Sequence, residues 1–226
     1  MIEEKISLML FLPRKYFCGA FLRSDKGEIF MKIKVRNICV TAILGAVGFV
    51  LMLLEFPLPM LIPSFIKFDF SELPALIASF CFGPLSGAGV CLIKNLLHLF
   101  VTTSSGVGEL SNFILGAVFS LVCGIIYKKY HTRKGALIAA VSGAAAMGVL
   151  SVVTNYFLVY PAYTVIFGMP REAIVAAYKA ILPASDTLLK SLIIFNLPFT
   201  LLKGIIDSAV CFAVYKKITP LLRKSG

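Results

Sequence analysis

The stretch SLIIFNLPFTLLKGIIDSAVCFAVY, residues 191–215, decides the fold. A helix of about 20 apolar residues crosses the hydrocarbon layer of a bilayer, and this run is long enough to do so. Its only charged residues are Lys203 and Asp207. An ionisable side chain at that depth costs about 2.5 to 3.5 kcal/mol on insertion scales unless it faces a partner, a cavity or a ligand. Lys203 is therefore the first place to look for function. A second polar interruption, Asn155 with Tyr156, lies in the preceding apolar run, and the two together point to a small-molecule pocket inside a membrane protein.

Working outward, the rest of the chain repeats the pattern. Hydrophobic residues make up 59% and charged residues 15% of 226 residues, and several runs are apolar around the whole helix rather than along one stripe. A soluble helical bundle is set aside on that ground. The sequence predicts an all-α integral membrane protein, a six-transmembrane-helix bundle with spans at about 37–55, 72–82, 85–101, 109–127, 135–160 and 190–215. The second span is short, and Gly83-Pro84 closes it with a tight turn. The six cysteines form no CxxC pair and read as small buried hydrophobes, with neither a disulfide framework nor a metal site.

Basic residues orient the bundle. Lys32, Lys34 and Arg36 precede the first span, Lys128, Lys129, Arg133 and Lys134 join the fourth and fifth, and Lys216, Lys217, Arg223 and Lys224 follow the sixth. An even number of spans puts all three clusters, and both termini, on the cytoplasmic side of a cell membrane. The opposite loops, 55–71 with Pro57, Pro59 and Pro63 and 160–189 with Pro161, Pro170 and Pro183, are expected to cap the outer face. The net charge of +11 is read as membrane topology and not as a nucleic-acid footprint. Residues 1–30 form neither a span nor a clean signal peptide and read either as an interfacial extension or as an over-long gene start ahead of Met31, outside the membrane-embedded domain, residues 31–226.

No GxxxxGK[ST], HExxH or GxSxG motif is present, so an enzyme is not expected and ATP hydrolysis would need a partner. The polar groups instead gather toward the outer half: Lys67, Asp69 and Glu72; Lys94, Asn95 and His98; Glu109 and Asn112; Asn155, Tyr156 and Tyr163. A cavity open to the outside needs such a set.

These residues carry a resemblance. KFDFSELPALI at 67–77, FGPLSG at 82–87, KNLL at 94–97, GELSNF at 108–113 and Asn155-Tyr156 followed by Pro161-Ala162-Tyr163-Thr164 occur in an order that resembles the riboflavin-binding S components of energy-coupling factor (ECF) transporters, from about residue 31 to the C-terminus. The resemblance implies a substrate-capture subunit for riboflavin uptake that works with a transmembrane coupling subunit and two cytoplasmic ATPases. It implies no catalytic residue, metal or cofactor, with riboflavin bound only as transported substrate.

The pyrimidine edge of the isoalloxazine ring alternates carbonyl acceptors with one N–H donor, and an asparagine amide offers both complements. Asn155 is assigned to that edge, with Lys203 donating a charge-assisted hydrogen bond. Similar family members usually read Pro-Phe-Asn before this lysine, whereas here Pro198-Phe199-Thr200 substitutes a hydroxyl for an amide. Phe68, Tyr156 and Tyr163 are candidates for ring stacking, Glu109 and Asn112 for the ribityl hydroxyls, and Asp69 and Thr200 are counted among the ligand-binding residues.

Structural alternatives stand beside these roles. Lys203 has Asp207 four residues on as an ion-pair partner. Asn155 suits an interhelical hydrogen bond, the aromatics an interfacial belt, and Glu109 a helix N-terminus. Lys94 and His98 read as loop-facing or structural. In span one, Ala42-x3-Ala46 resembles the small-residue motif through which S components dock on the coupling subunit, and ordinary bundle packing is its alternative. An S component for thiamine, folate or pantothenate would keep this scaffold with a different pocket.

Overall fold

The stretch at 191–215 is helical, but its helix changes pitch and extends beyond it. The computed structural model describes the backbone of residues 26–183 and 185–224 and the side chains of residues 37–183 and 185–214. The extension expected at 1–30 lies, up to residue 25, outside the described residues.

Helices α1 (Lys26–Leu53), α2 (Glu72–Phe82), α3 (Pro84–His98), α4 (Val107–Lys129), α5 (Arg133–Thr154), α6 (Tyr160–Phe167), α7 (Arg171–Lys179), α8 (Leu188–Ser191) and α9 (Leu197–Lys224) follow one another in chain order. Four segments are long and apolar enough to cross a membrane, Pro84–Val101, Val107–Lys129, Arg133–Phe167 and Leu188–Val214. Asn37–Leu53 and Glu72–Phe82 are shorter apolar helices. The chain is a multi-pass membrane protein.

Two of the crossing helices are built in two pieces. Asn155–Val159 joins α5 to α6 and Leu192–Asn196 joins α8 to α9 as π turns, each closed by an i→i−5 bond, Tyr160 N to Asn155 O and Leu197 N to Leu192 O. Pro161 and Pro198 each stand two residues past the end of the turn. Proline lacks an N–H and its ring collides with the carbonyl four residues back, and a wider turn is one way for a helix to pass it. The sequence placed Pro161 in an outer loop starting at residue 160; the π turn is the reason the helix instead runs on to Phe167.

Polarity runs inside out. Phe100 and Val165 are exposed, while Lys94, Glu72 and Asp207 are buried. From the second π turn into α9 the buried residues include Asn196, Lys203, Asp207 and Ser208, and Leu202 and Ile205 point outward. Within the bundle α1 packs on α2 and α3, α4 lies between α3 and α5, and α9 packs on α5 and α2. Leu76, Phe119, Cys123, Ala144, Met147 and Cys211 fill one core, and Ile62, Val159, Tyr160, Ile174, Tyr178 and Leu192 belong to a second. Cys91 is buried too, but Cys39 and Cys81 are exposed, unlike the expectation for all six.

The expected turn between α2 and α3 is made by Gly83 at φ 104°, a conformation that favours glycine. Gly116 serves closeness instead, since a Cβ there would collide with the Glu72 carboxylate. After α1 the chain folds back through a short antiparallel ladder, β1 (Phe56–Pro57) with β2 (Lys67–Phe68), pairing Phe56 with Phe68 and Pro57 with Lys67. This hairpin lies over one end of the bundle and brings Phe65, Ile66, Lys67 and Asp69 to the cavity there.

Candidate ligand-binding site

A cavity of about 200 Å³ lies at the hairpin end of the bundle. Its wall takes Glu55, Phe65, Lys67 and Asp69 from the hairpin and its end, Thr103 and Ser104 from the next loop, Glu109 and Asn112 from α4, Asn155 from the first π turn, and Tyr160 and Tyr163 from α6. Asn196, Phe199, Thr200 and Lys203 come from the second π turn and α9. Seven of the sequence-predicted residues therefore meet: Asp69, Glu109, Asn112, Asn155, Tyr163, Thr200 and Lys203. Phe68 and Tyr156 do not reach the wall. Phe68 is buried behind it, edge-on to Phe199 at 6.1 Å, and Tyr156 packs beside Phe157 at 4.9 Å.

Lys203 does not pair with Asp207. Its Nζ donates to Asp69 Oδ2 at 2.8 Å, so the cation of α9 is tied to the hairpin. The other Asp69 oxygen accepts the Ser71 N–H at 2.8 Å. Burial alone would raise the Asp69 pKa, but the Lys203 and Lys94 charges and these bonds hold the carboxyl well below the usual carboxylate range. Asp207, one turn further along, is fully buried with neither carboxylate oxygen hydrogen-bonded among the described residues.

Lys94 is interior rather than loop-facing. It donates to Ser71 Oγ and to Glu72 Oε1, the latter at 2.7 Å, and both members of that ion pair are buried. His98 Nδ1 lies 2.8 Å from Glu109 Oε1, and Ser104 Oγ donates to Glu109 Oε2 at 2.8 Å. Lys67 pairs with Glu55 at the rim. Each carboxylate of the cavity wall thus has its own basic partner, so the wall has no free cation to attract an anion.

The two wall asparagines are held in opposite senses. Asn155 Nδ2 donates to Ser151 O at 2.7 Å, which leaves its Oδ1 as an acceptor. The second Nδ2 hydrogen is not used by that bond. Asn196 Oδ1 accepts from Tyr178 Oη at 2.6 Å, which leaves its Nδ2 as a donor. With the Lys203 ammonium, the wall offers donor, acceptor and donor groups beside the aromatic rings of Phe65, Tyr160, Tyr163 and Phe199. Sequence reasoning missed Tyr160, Phe65 and Phe199, and gave Asn196 no contact. The signal available was Asn196-Leu197-Pro198, a polar residue just before a helix-disrupting proline.

The model of the family described as "ECF transporter, substrate-specific component" matches residues 36–215. The chain belongs to this family of substrate-specific ECF transporter components. Among their relatives, the "Riboflavin transporter FmnP" of Bacillus subtilis (strain 168) is 36% identical over 196 residues, covering 85% of this chain and 96% of the relative. The "Riboflavin transporter RibU" of Staphylococcus aureus (strain TCH60) is 32% identical over 190 residues, covering 84% and 93%. A solved structure described as the S component of a bacterial ECF transporter superposes with a TM-score of 0.66 at 29% identity, over 84% of this chain and 98% of that one. The substrate-specific components are transport proteins and not enzymes.

Proposed function

We propose that this chain captures riboflavin at the outer face of the cell membrane and delivers it as the S component of an ATP-driven ECF transporter. The observation that carries the reading is the likeness, over more than four fifths of the chain, to relatives named riboflavin transporters. The cavity supports it: a flat, largely apolar ring suits Phe65, Tyr160, Tyr163 and Phe199, and its acceptor–donor–acceptor edge complements Asn196 Nδ2, Asn155 Oδ1 and Lys203. Glu109 and Asn112, with Ser104 beside them, serve the ribityl hydroxyls, and Thr200 adds a hydroxyl to the ring end.

The hairpin end faces outward, and the turn carrying Lys128, Lys129, Arg133 and Lys134 faces the cytoplasm. On this reading α1 and α2 also cross the bilayer, giving six crossings with both termini inside. A coupling subunit and two ATPases supply the energy, and the exposed Ala42 and Ala46 of α1 form the docking face.

The test is to purify the chain in detergent, record its absorbance for co-purified flavin and titrate riboflavin by fluorescence quenching. Tight stoichiometric quenching that weakens in Asn155→Ala and Lys203→Ala supports the reading and both assignments. A colourless protein that leaves riboflavin fluorescence unchanged overturns it in favour of another vitamin on the same scaffold.

A further inference from the structure

Tyr178 lies outside the cavity wall, yet it is fully buried and its hydroxyl lies between two residues of that wall. It belongs to α7, a short helix at the hairpin end whose only buried side chains are Ile174 and Tyr178. Its Oη is hydrogen-bonded to Tyr160 Oη and donates to Asn196 Oδ1 at 2.6 Å. A phenol has a single proton to give. Once that proton is committed to Asn196, Tyr178 must accept from Tyr160, so the chain runs Tyr160 to Tyr178 to Asn196 in one direction. Phe65 stands edge-on to both tyrosine rings, 6.2 Å from each, and fixes their positions. Burial, then the neighbouring Tyr160, pushes the Tyr178 phenol above its ordinary range, so it retains the proton it donates.

We propose that Tyr178 is a positioning residue for substrate recognition: by donating to Asn196 Oδ1 it locks the amide with Nδ2 toward the cavity, and so sets the site to select a ligand carbonyl at that position. Without the Tyr178 hydroxyl the amide is free to turn, and its oxygen then meets the ligand's own acceptor. The inference rests on the flavin reading above. It also gives α7 a task, since this helix reaches the substrate only through Asn196 and Tyr160.

The test is a double-mutant cycle of Tyr178→Phe and Asn196→Ala on riboflavin binding to the full chain in detergent, with ligand-free melting to check folding. Tyr178→Phe should weaken binding about 10-fold, roughly the worth of one hydrogen bond, and should weaken it no further once Asn196 is already alanine. Equal weakening in both backgrounds means a merely structural role and overturns the proposal, as does a Tyr178→Phe variant that binds like the wild type. Asn196→Asp gives a second reading that leaves Tyr178 untouched. With one oxygen held by Tyr178 and the other facing the ligand carbonyl, it should bind more weakly than Asn196→Ala, and equal or tighter binding overturns the proposal. A wild-type chain that binds no riboflavin overturns the functional reading and this inference together, whereas failure of the cycle in a chain that binds overturns the inference alone.

Discussion

Lys203 and Asp69 meet from positions 134 residues apart. A lysine inside a spanning helix demands a partner, and that demand was legible in the sequence. The identity of the partner was not, because the nearest carboxylate along the helix, Asp207, is one turn away and the chosen one arrives on a hairpin from the other end of the chain. Pairing with the hairpin has a pH signature. The Asp69 carboxyl is held low in the folded state, so its contribution to stability is complete above the unfolded value of about 4 and is lost as the pH falls through the folded value. Circular dichroism melts of wild type and Asp69→Asn should differ by a constant amount from about pH 8 to about pH 5, and the gap should shrink below about pH 4. A gap that does not change with pH would mean that the pair is not acting as an ion pair. Asp207 is the counter-case, a buried carboxylate without a hydrogen-bond partner among the described residues. Because an unsatisfied buried acid costs stability, Asp207→Asn should melt at the wild-type temperature or higher; a clear drop would reveal a partner that the acid serves.

At the scale of elements, what could be read was set by regular periodicity. Four of the six expected spans and the Gly83 turn follow from apolar length and from glycine before proline, and they emerge near the expected positions. What could not be read is the π turn, because counting residues around a helix assumes about 100° per residue throughout. Asn155–Val159 breaks that count, and Tyr160, taken for the start of a loop, becomes a wall residue of the cavity. The Lys94–Glu72 pair was hidden for a different reason: each member looked like a residue near a span end, and only the packing of α3 on α2 makes them mutual partners. The π turn gives a direct prediction. Phe157 is 73% exposed, so deleting it removes no core contact while restoring regular pitch between Asn155 and Tyr160. Relative rotation of the two wall groups should cost about 100-fold in riboflavin affinity, the worth of roughly two polar contacts, with helix content by circular dichroism unchanged. Retained affinity would mean that the turn accommodates Pro161 without shaping the site.

For the whole molecule, charge inside and shape outside bear on what the proposed site carries and what docks on it. The cavity carboxylates each have a basic partner, and the end assigned to the ribityl chain is closed by Glu109. A terminal phosphate would meet that carboxylate, so flavin mononucleotide should bind at least about 10-fold more weakly than riboflavin, and Glu109→Gln should narrow the gap. An unchanged ratio in the variant would place the ribityl end elsewhere. Docking is proposed on α1, where Ala42, Gly45, Ala46 and Gly48 are small residues close together in the sequence. In the bundle that group splits into two faces. Gly45 and Gly48 turn inward, against Ile93 and Lys94 of α3, while Ala42 and Ala46 are exposed beside Ile43, Val47 and Val50. A bulky side chain at 42 or 46 therefore meets no neighbour within the bundle, but it blocks the close approach of a partner helix. Ala42→Trp and Ala46→Trp should titrate riboflavin like the wild type as purified chains and should abolish ATP-dependent uptake in vesicles holding the coupling subunit and ATPases. Gly45→Trp, driven into Ile93, should lose both. Loss of binding in the alanine variants would make their face part of the bundle's own packing, and uptake retained in both would move the docking surface off this face of α1.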